Sequence, residues 1–415
     1  MTRTVHIIGA GISGLSAGVR LANAGLQVHV HEASQHLGGR CRSYYDGATG
    51  LVIDNGNHLL LSGNHSALAF AELIGGVGGL RGPDQAEFPF MDFADGRRWT
   101  LRLSDGRIPW WIFKDGDRVP GTSAGDYLGL APLIWAGTDK AIGDAIKCDG
   151  VLYRRLVEPL LLAALNIAPP KGSAGLAGAI IRETLMAGGQ ACRPLIARDG
   201  LGSVLIEPAA AFIRARGGTV TIGNELEKVF FEGNRVSALQ IGSQNVPLGP
   251  NDAVVMAAPA RQAAMLLPGI SAPTRFCAIV NAHFRFDPPA SVPPITGVVN
   301  GLIDWLFAFP QRLSVTISGG DHLVNVPREE LANSIWAEVC RVADIKAELP
   351  PWQIVRERRA TFEASPEQHA LRPQAQTKWA NLVLAGDWTD TGLPATIEGS
   401  VRSGDRAADL VLKMG

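Results

Sequence analysis

Three groups of residues in this 415-residue chain have the types and spacing to do chemistry. The first is Gly9-Ala10-Gly11-Ile12-Ser13-Gly14. It follows a short apolar run at 5–8 and precedes a helical pattern on Leu15, Val19, Leu21 and Ala22. A second apolar run at 26–30 ends on Glu32. Strand, glycine turn, helix, strand and acid, in that order, are the parts of a dinucleotide site. Gly9 permits the tight turn, Gly11 lets the backbone approach a pyrophosphate, and Gly14 lets helix and strand pack closely. The helix start offers free N–H groups and a positive dipole end. Glu32 is placed to accept from ribose hydroxyls, and its charge would repel a 2′-phosphate, which argues against NADP.

The second group is Gly38-Gly39-Arg40, followed by the turn Asp54-Asn55-Gly56-Asn57 and His58. Gly56 permits a close backbone approach that a Cβ would block. His58 has two readings: it orders the turn by hydrogen bonding, or it donates a proton near a cofactor. An ordinary pKa of ~6.5 suits either. Asp54 is the second candidate acid. The third group closes the chain. An apolar run at 382–385 ends on Gly386-Asp387, a loop reaches Pro394, and a helical pattern starts near Ala395.

The elements that must position these groups follow from composition and pattern. Apolar residues make up 46% and charged residues 19%, a core-forming composition. The net charge of −1 gives no reason to expect a nucleic-acid partner. Five scattered cysteines without a CxxC or CxxH pattern support neither a metal site nor a disulfide framework, and fit a reducing compartment. The chain enters its first strand within four residues, which leaves no room for a signal peptide. No stretch reaches the ~18–20 apolar residues of a membrane span. A cytoplasmic protein is expected, with peripheral contact at the inner membrane face left open by its slightly positive mean hydropathy.

Between the motifs, strands and turns are expected over 88–103 and 107–113, and a helix over 152–167 that is apolar nearly all round from 160 to 165. Such a helix is buried or borders an apolar cavity. Arg154 and Arg155 at its front read as structural. Pro109-Trp110-Trp111-Ile112-Phe113 is core, the wall of a lipid tunnel, or a membrane-dipping patch. A helix at 204–215 and short strands at 219–222, 226–231 and 235–241 follow, and 252–259 reads as a buried parallel strand returning to the first sheet. Strands at 276–286 and 302–317, a helix at 327–343 and a charged strand at 352–362 complete the pattern.

Glu32 with Gly38-Gly39-Arg40 resembles the signature of the FAD-dependent amine oxidase and carotenoid desaturase superfamily. Gly386, Asp387, Pro394, Glu398, Gly399, Ser403 and Gly404 match its C-terminal motif, with Ser400 where alanine is common. The string Ile53 to Asn64 is similar, more narrowly, to the squalene-associated FAD-dependent desaturases, the hydroxysqualene dehydroxylases of bacterial hopanoid biosynthesis. The resemblance implies an α/β fold: a Rossmann-like composite FAD-binding domain (1–66, 195–260 and 355–415) plus a mixed α+β, apolar substrate domain (67–194 and 261–354). It assigns FAD to Gly9, Gly11, Ile12, Ser13, Gly14, Glu32, Ala33, Gly39, Arg40, Asn55, Gly56, Asn57, His58, Val229, Gly386, Asp387, Pro394, Ala395, Thr396 and Ile397. Arg40 would meet the phosphates, Val229 backbone the adenine, and Asp387 the ribityl chain or pyrophosphate. The last helix would aim its start at the flavin pyrimidine edge.

The reaction implied is reductive. The hydroxyl of hydroxysqualene leaves with acid assistance, and a hydride from reduced flavin replaces it to give squalene. His58 is the first candidate acid and Asp54 the second. The same fold also serves oxidative polyprene desaturation, amine oxidation and non-catalytic prenyl binding. Only four tyrosines, none in the C-terminal motif, speak against an amine oxidase cage. Implied partners are a hydrophobic isoprenoid substrate and upstream isoprenoid synthases.

Overall fold

The computed structural model describes residues 3–414; residues 1, 2 and 415, the outermost positions of the expected domain ranges, lie outside it. A five-stranded parallel sheet has the order Thr219–Thr221, Gln27–His31, Thr4–Ile8, Ala253–Met256, Leu382–Leu384. Its strands come from both ends and the middle of the chain, so the nucleotide fold is composite, as expected. Both faces are covered, and the strands Ala253–Met256 and Leu382–Leu384 are accordingly wholly apolar. On one face Val5, Ile7, Val28, Val30 and Val255 pack against the first helix, Ile12–Asn23, and the C-terminal helix, Ile397–Lys413. These helices approach closely because position 404 is glycine: a Cβ there would lie 1.9 Å from Ser16 Oγ. On the other face Ile8, Val254, Met256, Leu382 and Leu384 meet a three-stranded antiparallel sheet of residues 226–247.

A second, seven-stranded sheet runs Trp352–Phe362, Phe276–Arg285, Arg312–Ile317, Trp305–Phe309, Ile295–Val299, Glu87–Asp92, Arg98–Arg102. All pairings are antiparallel except Ile295–Val299 with Glu87–Asp92. Alternation along these strands sends successive side chains to opposite faces. Val280, Ala282, Phe284, Leu313, Val315 and Leu306 pack under the helix Arg328–Ala343, on its Leu331, Ile335, Val339 and Val342 side. The intervening positions, Ile279, Asn281, Trp305, Phe307 and Thr316, face a cavity.

Pairing corrects two expected boundaries. The strand Trp352–Phe362 belongs wholly to the seven-stranded sheet, pairing with Phe276–Arg285 along its length, so no boundary falls at 354/355. The helix His65–Leu73 buries Ala67, Phe70 and Ala71 in the nucleotide core, so it does not open the substrate region. Residues 150–165 are helical, with a π-helical turn over Tyr153–Val157 ahead of Pro159. Arg155 there is bound by Asp92 and Asp95, the structural role expected of it. Of the strands and turns expected over 107–113, the turn is what forms, with a 3-10 segment at Trp110–Phe113. It splits the aromatic cluster: Trp111 is buried in the core beside Ile112, while Trp110 and Phe113 are exposed.

Three histidines sit on the parallel sheet. His6 stacks on His31, with Nδ1 and Nε2 3.2 Å apart, and His29 lies beside His6. Burial holds the His6 and His31 rings down to about 4, and neighbouring imidazoles add to it; Asp252 offsets part of this at His6. In the unfolded chain both rings protonate near ~6.5. Between those values the unfolded state binds more protons, so stability rises with pH and is lost as pH falls from ~6.5 towards ~4. The expected outcome is a lower urea midpoint at about pH 5 than at about pH 7, and a smaller difference between them in His6→Val.

Candidate active site

One cavity of about 700 Å³ runs between the two sheets, within the ~300–1,000 Å³ usual for ligand sites. Gly11, Ile12, Ser13, Gly39, Arg40, Asn55, Gly56, Asn57, His58, Gly386, Asp387, Ala395, Thr396 and Ile397 line it, so residues from three distant motifs converge. Leu160, Ala163 and Ala164, from the apolar helix, form the far wall. That helix borders an apolar cavity, one of its two expected fates. Gly9, Gly14, Ala33, Glu32, Val229 and Pro394 are not in the wall. Gly9 and Gly14 shape the loop behind it: Gly9 turns at φ 103°, and a Cβ on Gly14 would strike Gly9 O at 2.0 Å. Val229 packs in the core under the three-stranded sheet, on its edge strand.

The glycine loops are braced against each other. Gly38 N–H donates to Ala10 O at 2.8 Å, and a Cβ on Gly39 would stand 3.5 Å from Gly11 Cα. Gly38 and Gly39 both take positive φ, which glycine adopts without strain. Glu32 is tied to the same loop, accepting from Ala10 N–H at 2.7 Å and Ser34 N–H at 2.9 Å. Arg40 then reaches across to the end of the chain. Its guanidinium donates to both Asp387 oxygens, at 2.8 and 2.7 Å, and to Ala360 O at 2.6 Å. Burial alone would lower the Arg40 pKa; the Asp387 carboxylate outweighs it and raises it.

Two helix starts face this region. The first helix has neither a side-chain cap nor an acid in its first turn, so its leading N–H groups are unspent. Thr396 caps the C-terminal helix by accepting from Gly399 N–H. The acid in that first turn, Glu398, is turned aside: it accepts from Ser66 and Ala67 N–H and pairs with Arg402. Ser403, on the next turn, accepts from Gly386 N–H at 2.8 Å and fixes the Gly386-Asp387 corner.

The two candidate acids separate. Asp54 is buried, accepts from Ser43 Oγ at 2.5 Å and Leu201 N–H at 3.0 Å, and does not reach the cavity. Its expected acid role is corrected to a structural one: it anchors the 200–202 loop to the hairpin of Ser43–Asp46 and Leu51–Asp54. His58 does line the cavity. Its Nδ1 lies 2.7 Å from Gly56 O, an atom that can only accept, so Nδ1 carries the proton and Nε2 is the free position. Burial lowers the His58 pKa, against Asp54 and the Gly56 carbonyl, which raise it. The turn-ordering reading of His58 is therefore realised, and a proton can leave from Nε2 only in the imidazolium form.

A polar patch not anticipated from the sequence completes the wall. Asn281 Oδ1 accepts from Thr316 Oγ1 at 2.8 Å and Asn57 N–H at 3.3 Å, and Asn55 Nδ2 donates to Glu357 at 3.1 Å. The signal available was Asn281 itself, a carboxamide in a strand otherwise reading as buried and apolar.

The comparisons with known proteins agree with this geometry. The model of the flavin containing amine oxidoreductase family matches residues 12–412. A hydroxysqualene dehydroxylase of Rhodopseudomonas palustris is 65% identical over 100% of both chains, and one of Sinorhizobium fredii is 61% identical over 99% of both. The chain belongs to the hydroxysqualene dehydroxylases of the flavin-containing amine oxidoreductase family. A probable zeta-carotene desaturase of Synechococcus elongatus is more distant, 22% identical over 99% of this chain and 98% of its own. A solved putrescine oxidase double mutant shares the fold, with a TM-score of 0.72 at 17% identity over 99% of this chain and all of its own.

The family's cofactor, FAD, fits the residues present. A Cβ on Gly11 would meet nothing within 4 Å, so the glycine loop leaves open space beside the unspent helix N–H groups. That is the donor set a pyrophosphate needs. The second helix start suits negative charge on the flavin ring. The expected outcome is that Asp387→Ala and Glu32→Ala each weaken FAD binding by roughly tenfold or more, the worth of a charged hydrogen bond. The flavin-to-protein ratio after gel filtration reads this, and an unchanged ratio removes that residue from the cofactor site.

Proposed function

We infer that this chain is an FAD-dependent hydroxysqualene dehydroxylase, which removes the hydroxyl of hydroxysqualene to give squalene. The observation that carries the reading is the match, over the full chain, to relatives bearing that name, joined to an apolar cavity that opens onto the cofactor motifs. The carotenoid desaturases share much less sequence. None of the four tyrosines lines the cavity, so a tyrosine cage for an amine is absent.

In the reaction a C–O bond breaks, the oxygen leaves as water after taking a proton, and a C–H bond forms at the same carbon. When bound and reduced, FAD supplies the hydride. The protein's residues do the remainder. Leu160, Ala163, Ala164, Phe276 and Phe307 keep water from the cation left behind. His58 delivers the proton from Nε2 while Gly56 O holds its ring in place. We assign the ribose to Glu32, the adenine to the backbone of the edge strand at Val229, and the phosphates to the first helix start and Arg40.

The test is anaerobic. Reduced protein mixed with hydroxysqualene should reoxidise while squalene appears; flavin that stays reduced with no squalene overturns the reading. Because burial lowers the His58 pKa, the protonated fraction grows as pH falls through values below ~6.5. The single-turnover rate should therefore rise on acidification, and His58→Ala should abolish that rise and slow turnover by roughly 10²-fold or more. A pH-independent wild-type rate removes the proton from His58.

Peripheral contact with lipid is part of the same proposal. Ile108, Trp110, Phe113, Leu128 and Trp135, 57–78% exposed, all lie between positions 108 and 135. Trp111 and Ile112, between them, are rooted in the core that also holds the cavity residues Phe88, Leu101 and Leu103. Trp and Phe at a surface suit a membrane interface, and the substrate is a lipid. No helix among the described residues is long and apolar enough to cross a membrane. Trp110→Ser with Phe113→Ser should lower the fraction pelleting with phospholipid vesicles while flavin content stays unchanged. An undiminished pellet removes this patch from lipid binding.

A further inference from the structure

Around Gly56 the cavity wall carries four nitrogen-bearing side chains: Asn55, Asn57, His58 and Asn281. Three already donate to groups of the protein. Asn55 Nδ2 donates to Glu357, Asn57 Nδ2 to Val315 O at 3.1 Å, and His58 Nδ1 to Gly56 O. Asn281 differs. Its oxygen takes the Thr316 hydroxyl and the Asn57 amide, which fixes the carboxamide's orientation. Its Nδ2 donates none of the hydrogen bonds found among the described residues, and it lies 3.2 Å from where a Cβ on Gly56 would be. Asn281 is almost fully buried, at 1% exposure, yet borders the cavity. The nitrogen is not sealed off by the protein but opens onto the cavity, where an acceptor can meet it.

We propose that Asn281 is the donor that grips the oxygen of the substrate's hydroxyl, and that it thereby makes the site prefer the hydroxylated polyprene over the deoxygenated product. This rests on the dehydroxylase reading. The chemistry favours a neutral amide. It can hold an alcohol oxygen without protonating it, leaves the second lone pair within reach of another donor, and cannot trap the cation, as a carboxylate would by adding to it. Asn281 stands on the same wall as His58, so a single oxygen can be held by one residue and protonated by the other. Once the oxygen has left as water, the lipid has no acceptor for Asn281, and the product keeps only the apolar contacts it shared with the substrate. A site built to hydrogen-bond a hydroxyl discriminates strongly against the analogue that lacks it. Thr316 is a positioning residue: it acts on substrate only through Asn281.

The test compares two ligands in oxidised holoprotein, where no hydride is available and hydroxysqualene is not consumed. Dissociation constants for hydroxysqualene and squalene, each in detergent, are read from the flavin absorbance change. Wild type should bind hydroxysqualene more tightly. Asn281→Leu should lose roughly tenfold in hydroxysqualene affinity, with squalene affinity held within about twofold. Thr316→Val should shift hydroxysqualene in the same direction by less. Asn281→Asp keeps the shape if leucine disturbs the fold, and it adds a readout that a structural role would not move. Its carboxylate cannot donate at neutral pH, whereas its protonated form can, so hydroxysqualene affinity should recover on acidification. Variants that keep the wild-type preference, or that lose both ligands equally, overturn the assignment. Reductive turnover of hydroxysqualene by wild type, measured alongside, separates the two ideas. Turnover without any preference in wild type overturns the role of Asn281; no turnover overturns the dehydroxylase reading itself.

Discussion

The fork between Arg40 and Asp387 joins the parts of this molecule that do its chemistry. One partner belongs to the glycine-rich loop after the second strand, the other to the corner before the last helix, 347 positions later. The same guanidinium holds Ala360 O, which lies on the long strand of the seven-stranded sheet. A single side chain thus fixes the distance between both sheets. It also settles the electrostatics of the corner: Asp387 is nearly buried, and a lone carboxylate there would be costly. The bidentate geometry uses the rigid plane of arginine, which a lysine could not reproduce.

The seven-stranded sheet works by division of labour between its faces. One face is uniformly apolar and carries the Arg328–Ala343 helix. The other lines the cavity with Ile279, Trp305 and Phe307, interrupted by Asn281 and Thr316 and, towards the edge strand, by Glu357, Arg359 and Thr361. A cavity for a long hydrocarbon needs little beyond shape and dryness. The few polar groups in its wall are therefore informative, because each must be satisfied by the protein or by what the cavity holds.

The nucleotide half was largely legible in the sequence because its instructions are local. The Gly9–Gly14 turn, Glu32, the Gly38-Gly39 pair and the Gly386-Asp387 corner each carry their physical reason within a few residues. What was misread depends on distant partners. Asp54 looked like an acid beside His58, but Leu201, 147 positions on, claims its oxygen and turns it away from the cavity. The strand at 352–362 looked like a return to the nucleotide sheet, since nothing in its charges announces pairing with 276–285. Asn281 passed unnoticed because its role arises from Thr316 on a neighbouring strand. Trp110 and Trp111 could not be told apart by composition, and only the turn they occupy sends one in and the other out.

The parallel sheet sets a schedule for the protein's synthesis. Its central strand is Thr4–Ile8, yet one edge is Leu382–Leu384, and the last helix packs directly on the first. A ribosome adding about 5–20 residues per second needs on the order of half a minute between Arg40 and Asp387. Throughout that interval the glycine loop has been made but lacks the corner that closes it. The apolar face of Ile12–Asn23 must also wait, or be sheltered by a chaperone, until the final helix emerges. The cavity wall, which draws on residues from both ends of the chain, is therefore complete only once the last helix has been made.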